Sequence, residues 1–211
     1  MRVLALLFFG CLLFVLFPQI DLWVSSLFYH HGFYLKKASL AQAIYKTTIF
    51  ITAGIGIALL VLLIGELIAK KEWVSKKVLI YLLLVLLLGP GLIVNTLFKN
   101  HFGRARPSQI QRFGGTKKFT PALIITDQCQ KNCSFSSGHA AAAFYFLALV
   151  PLLRGRAKLW ALAGALLWGS IVSAVRILQG GHFLSDVYCS AVVVWGVSVG
   201  LYYLMFERNN R

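Results

Sequence analysis

The chain is 211 residues long and 59% hydrophobic, with a mean hydropathy of +0.77 and a formal net charge of +15. The length suits one domain, residues 1–211, and the apolar fraction lies far above that of a soluble globular protein, which excludes a water-soluble domain. In a soluble chain such a positive charge would point to nucleic acid; here the cations sit between apolar runs, so they report orientation in a bilayer and no nucleic-acid partner is expected.

Six apolar runs are long enough to cross a membrane, roughly 3–20, 47–69, 78–98, 139–153, 157–178 and 186–206, the fourth being the shortest. They predict an all-α, six-transmembrane-helix bundle. The first run follows Arg2 as a signal peptide would, but Phe17-Pro18-Gln19-Ile20-Asp21 offers no small-residue cleavage site, so the run is read as a retained helix. Lys70, Lys71, Lys76 and Lys77 follow the second run, Arg154, Arg156 and Lys158 follow the fourth, and Arg2, Arg208 and Arg211 mark the ends. With six crossings these cations share one side, which the positive-inside rule makes cytoplasmic, both termini included. Segments 21–46, 99–138 and 177–185 then face the outside, which is periplasmic or extracellular.

Segment 21–46 mixes Trp23, Phe28, Tyr29, Phe33, Tyr34 and Tyr45 with His30, His31 and three lysines, a composition that predicts an amphipathic helix lying in the outer interface. The adjacent His30 and His31 diverge on a helix and have no acidic partner, so packing is favoured over metal binding. Glu66, four residues before Lys70, is read as a pairing or snorkelling carboxylate at the cytoplasmic edge. Gly89-Pro90-Gly91 is expected to kink or loosen the third run before it delivers Lys99.

Segment 99–138 is the one long hydrophilic stretch, and it carries Lys99, Arg104, Arg106, Arg112, Lys117, Lys118 and Lys131 against a single carboxylate, Asp127. A basic outer loop runs against the positive-inside trend and asks for an anionic partner. Its Arg112, Lys117 and Lys118 are expected over the pocket, free to meet a second anionic group. Cys11 and Cys189 lie within apolar runs as inert packers. Cys129 and Cys133 admit three readings: a disulfide, which is preferred, free thiols, or a metal site that lacks further ligands at close spacing.

Three stretches on the predicted outer side carry chemistry. Lys99-Asn-His-Phe-Gly-Arg104-Ala-Arg106-Pro107 supplies cations at the end of the third run. Ser136-Ser137-Gly138-His139 opens the fourth run, where free N–H groups and a hydroxyl make an anion site beside an imidazole. Arg176-Ile-Leu-Gln-Gly-Gly-His182-Phe-Leu-Ser-Asp186 places a planar guanidinium before a Gly-Gly break, then His182 and Asp186 at i, i+4, where the carboxylate can accept from one ring nitrogen and leave the other as nucleophile or base. The inventory of two His, one Asp, several cations and one helix start matches phosphoryl transfer, with an imidazole attacking in line and a second protonating the leaving oxygen. No metal or other cofactor is required. The rival reading is a carrier that uses the basic pocket to hold an anionic lipid, which needs the cations but neither histidine.

Lys-x6-Arg-Pro (Lys99, Arg106, Pro107), Ser-Gly-His (137–139) and Arg-x5-His-x3-Asp (Arg176, His182, Asp186) resemble the three-part signature of the type 2 phosphatidic acid phosphatase superfamily. The resemblance implies that His182 forms a phosphohistidine, Asp186 orients it, His139 is the general acid, and Lys99, Arg106, Ser137, Gly138 and Arg176 bind phosphate. Ser136 stands where the pattern has proline and Val175 where it has serine, and neither change removes a charged or titrating group. Arg104 is an extra cation, a candidate accessory contact. Gly-Pro-Gly-Leu-Ile-Val-Asn before Lys99 and Cys-x3-Cys-Ser-Phe before the second motif are similar to the branch of bacterial lipid A 4′-phosphatases; phosphatidylglycerophosphate and undecaprenyl pyrophosphate phosphatases share the motifs. A substrate already anchored in the bilayer suits a site at the ends of membrane helices.

Overall fold

The computed structural model describes residues 2–207, so Arg208 and Arg211 lie outside the described residues. The described chain is built of helices joined by loops: α1 (Arg2–Leu16), α2 (Gln19–Ser26), α3 (Ser39–Ala69), α4 (Lys76–His101), α5 (Gly138–Leu152), α6 (Gly155–Leu178) and α7 (Leu184–Glu207). Two isolated β-bridges, Tyr29 with Phe33 and Ile110 with Lys117, pin loops, and no strand forms among the described residues. Helices α3, α4, α6 and α7 are long and apolar enough to cross a membrane, and α1 with α2 adds a fifth crossing if that bent pair counts as one. The shorter α5 is α-helical to Phe144 and 3₁₀ from Tyr145 to Leu152, and spans about 26 Å at about 1.5 and 2.0 Å per residue respectively.

The first apolar run does not continue to residue 20 as one helix. Pro18 cannot donate to the preceding turn, and the chain bends by 82° between α1 and α2. That bend carries Asp21 into the protein, where it is wholly buried. Nor is segment 21–46 a single helix: it resolves into α2, a bridged loop, a 3₁₀ turn at Tyr34–Lys37 and the opening turns of α3, which begins at Ser39 rather than 47.

In α4 the expected loosening takes a definite form. From Leu87 to Phe98 the helix widens to a π spiral around Pro90, whose ring and missing N–H forbid the regular bond one turn back. Asn95 Nδ2 and Thr96 Oγ1 donate to the Pro90 and Gly91 carbonyls at 2.9 and 3.2 Å, five residues back, which reinforces the wide turns. Glu66 also differs from expectation: it accepts from the backbone N–H groups of Trp73 and Val74 at 3.0 and 2.7 Å, closing the α3–α4 turn instead of pairing with Lys70.

The core lies where α5 is wrapped by its neighbours. Ala140 and Ala141, with Phe144 and Leu147, pack against Val94 of α4, Ile177 of α6, and Val187 and Val194 of α7. Small side chains at the start of α5 let the other helices close around it, and this brings the second motif to the centre of one end of the bundle. Outward faces stay apolar, with Phe50, Ile57 and Ile68 of α3 and Trp160 and Leu167 of α6 exposed, as a bilayer-facing surface requires.

Candidate active site

The connection from α4 to α5 is a tightly bonded cap over that end. Thr126 N–H donates to the Phe102 carbonyl at 3.0 Å, Ser134 N–H to that of Arg104 at 2.8 Å, and Ser108 N–H to that of Gly180 at 3.0 Å, so the first motif is stitched to both the second and the third. Gly103 has a positive φ of 62°, and a Cβ there would lie 1.7 Å from the Thr126 carbonyl oxygen, so only glycine fits. Phe135 stacks on Phe98 and Phe102 beneath the cap, and Cys129 is joined to Cys133 by a disulfide. Arg112, Lys117 and Lys118 are exposed on this cap.

His182 follows the turn that ends α6. Gly180, at φ 63°, reverses the chain while Gly181 and His182 both donate to the Arg176 carbonyl, at 3.0 and 3.3 Å. The imidazole is buried, and its Nδ1 donates to the Ser134 carbonyl at 2.7 Å. A carbonyl only accepts, so Nδ1 carries the proton and Nε2 keeps the free lone pair. The expected carboxylate contact is therefore replaced: Asp186 Oδ2 stands 3.7 Å from Nδ1, beyond hydrogen-bond range. Asp186 acts one residue removed, accepting from Ser134 Oγ at 2.5 Å and Phe183 N–H at 2.8 Å, and so fixing the residue whose carbonyl orients the ring.

Burial holds the His182 pKa down to about 4, with nearby Arg176 and Arg106 pushing the same way against the attraction of Asp186. The ring is expected to stay neutral at pH 6. Because an unfolded histidine takes its proton near 6.5, the contribution of neutral His182 to stability is complete above about 6.5 and lost as pH falls through about 4. An NMR titration of the labelled His182 ring in detergent tests this, and a midpoint near 6.5 would contradict the shielding.

Arg104 does not face the phosphate site. Its guanidinium is buried, donating to Asp186 at 2.6 Å, Asp21 at 2.8 Å, Ser185 Oγ at 2.8 Å and the Thr120 carbonyl at 2.9 Å, with the Phe183 ring 4.3 Å beneath. Burial works against its charge, but Asp186 and Asp21 outweigh it and raise the Arg104 pKa above the usual arginine value. Asp21 also accepts from Ser185 N–H at 2.8 Å and Ser185 Oγ at 2.5 Å, so it anchors the first turn of α7 as well as Arg104. Asp21 was not among the sequence candidates, yet it is one of only six acidic residues and lies in apolar surroundings, a signal in itself.

The remaining motif residues form a cationic cradle. His139 lies within electrostatic reach of His182, Lys99, Arg106 and Arg176. Its ring stacks on Tyr45 at 4.0 Å, and the Arg176 guanidinium sits 4.8 Å from the same Tyr45 ring, so α3 supplies a platform that the motifs do not reveal. Arg106 donates to the Asn132 carbonyl at 2.8 Å, and Arg176 to Gln179 Oε1. Ser137 caps α5 through its hydroxyl, while its own N–H is taken by Ser190 Oγ at 2.9 Å. The open amides at the helix start are those of Gly138 and His139, which have no acceptor one turn back. Asn95 Oδ1 closes over Gly138, where a Cβ would lie 2.2 Å away. Among the described residues no three His, Cys, Asp or Glu side chains converge as a metal site would require.

A buried imidazole with one nitrogen fixed and the other free, a second imidazole, three cations and an open helix start meet at one end of an apolar bundle. Residues 77–210 match the PAP2 superfamily. The chain is 34% identical over 210 residues to a lipid A 4′-phosphatase of Francisella tularensis subsp. novicida (strain U112), covering 97% of this chain and 95% of that protein. It is 40% and 39% identical over 120 residues to proteins of the same name from Rhizobium leguminosarum and Rhizobium etli, covering 55% of this chain and about half of each. No solved structure matches it. The chain belongs to the PAP2 superfamily, and it is a lipid phosphatase.

Proposed function

We propose that the protein removes the 4′-phosphate of lipid A at the outer face of a bacterial inner membrane, through a phosphohistidine on His182. The observation that carries the mechanism is the Nδ1 bond to the Ser134 carbonyl, which leaves Nε2 as the nucleophile. Nε2 attacks phosphorus in line as the P–O bond to the sugar breaks, and His139 gives its proton to the departing oxygen. Lys99, Arg106, Arg176, Ser137 and the Gly138 and His139 amides hold the phosphoryl oxygens. Water, giving its proton to His139, then attacks the phosphohistidine and releases phosphate.

The substrate class rests on similarity along almost the whole chain to the Francisella protein. It also rests on an apolar groove of about 580 Å³ between α3 and α4, which has Lys99 and His139 at one end and suits an acyl chain. For the bilayer, we read α5 as a sixth crossing shortened at the site, α2 as the interfacial helix, and the cations after α3 and α5 as cytoplasmic, which puts the site in the periplasm. Purified protein in detergent, offered lipid A, phosphatidylglycerophosphate, phosphatidic acid and undecaprenyl pyrophosphate, is expected to release phosphate fastest from lipid A. Preference for any of the others would overturn the substrate, and release from none would overturn the catalytic reading in favour of a lipid carrier.

A further inference from the structure

Beside the phosphate cradle lies a second, polar cavity of about 310 Å³. Arg106, Arg176 and Tyr45 form the wall shared with the cradle, and Lys36, Gln42, Ser108, Gln179 and Gly181 form the rest. Phosphoryl transfer gives Lys36, Gln42 and Ser108 no task, and uses only the Oε1 of Gln179, which holds Arg176. Two buried nitrogens of this wall have no acceptor among the described residues: Arg176 Nε, which the transferred phosphate would satisfy, and Gln179 Nε2. Gln179 is only 4% exposed and its Oε1 is fixed by Arg176, so its orphaned N–H₂ calls for an acceptor brought by a ligand.

Gln42 presents the opposite character. Its Nε2 donates to the Lys36 carbonyl at 2.7 Å, which assigns the amide and leaves Oε1 as the open atom, an acceptor. Ser108 can do either. A fixed donor, a fixed acceptor and a hydroxyl fit a ligand that both donates and accepts, as ring hydroxyls do. A phosphomonoester dianion, which only accepts, would leave Gln42 Oε1 unmatched. The volume is near the lower end of the roughly 300–1,000 Å³ range of small-molecule pockets, suited to one ring.

The geometry points to this cavity as the subsite for the sugar ring that bears the transferred phosphate, with hydroxyl oxygens accepting from Gln179 Nε2, a hydroxyl donating to Gln42 Oε1, and Lys36 at the exposed rim. This rests on the phosphatase reading above, and it makes Gln42, Ser108 and Gln179 specificity residues. The full-length protein in detergent is assayed on a glucosamine 4-phosphate lipid and on phosphatidic acid, which offers the same phosphate on glycerol. Gln42→Leu/Ser108→Ala is expected to lower the sugar-to-glycerol ratio of kcat/KM by on the order of tenfold, mainly through KM, and Lys36→Met to lower it less. An unaltered ratio, whether both activities hold or both fall together, would overturn the subsite. Binding of the dephosphorylated glucosamine lipid, followed by tryptophan fluorescence, separates the two claims. A parent protein that binds it while the double variant does not supports the subsite even if no phosphate is released, an outcome that would sink only the phosphatase reading. A parent that does not bind it overturns the subsite.

Discussion

His182→Ala is expected to abolish turnover, with a loss on the order of 10⁴-fold or more, while the phosphate analogue vanadate still binds. In the proposed mechanism the imidazole forms the covalent intermediate, and the chain holds its tautomer at three removes: Ser134 carbonyl on Nδ1, Asp186 on the Ser134 hydroxyl, and Arg104 on Asp186. Removing the ring leaves Lys99, Arg106 and Arg176 in place, because none of them bonds to it. Retained anion binding with lost turnover is therefore the signature of a nucleophile rather than of a folding residue. The check is vanadate binding by calorimetry beside a phosphate-release assay on the same preparation. A variant that keeps more than a few per cent of the parent rate would end the phosphohistidine mechanism.

The bundle was legible because a bilayer imposes long apolar runs, and the motif residues were legible because charged groups at helix ends are costly and few. What stayed hidden depended on contacts across the fold. Asp21 sits next to an apolar run and looked like its mere boundary; only the bend after Pro18 folds it under Arg104 and Ser185. Tyr45 read as one interfacial aromatic among several, since nothing local tells that α3 starts early and lays this ring against His139 and Arg176. The i, i+4 spacing of His182 and Asp186 did bring them to one helix start, but whether they bond depends on a competing acceptor from the other side, and Ser134 is 48 residues away in sequence. Arg104 shows the same limit: two residues from Arg106 in the chain it looks like another phosphate ligand, yet carboxylates distant in sequence, Asp21 and Asp186, hold it inside the protein.

The Arg104 network carries the second large effect. Arg104→Leu strips two wholly buried carboxylates, Asp21 and Asp186, of their shared counter-ion, and loss of one partner from such a buried cluster costs about 3–5 kcal/mol. At the size of this chain that corresponds to a fall in Tm of about 10 °C in detergent. Replacing buried ionic partners by apolar side chains is less harmful than leaving one unpaired, so Arg104→Leu/Asp21→Leu is expected to recover the part of that stability owed to Asp21, while Asp186 still lacks its counter-ion. Activity should not return with it. Asp186 would keep Ser134 Oγ and Phe183 N–H but lose the guanidinium on its other oxygen, and the carbonyl that orients His182 would be less firmly held. Thermal unfolding and phosphate release measured on the single and double variants make the test. If Arg104→Leu unfolds at the parent temperature, the network does not hold this end of the bundle together. If the double variant regains turnover along with stability, Arg104 serves the fold alone and has no part in positioning the nucleophile.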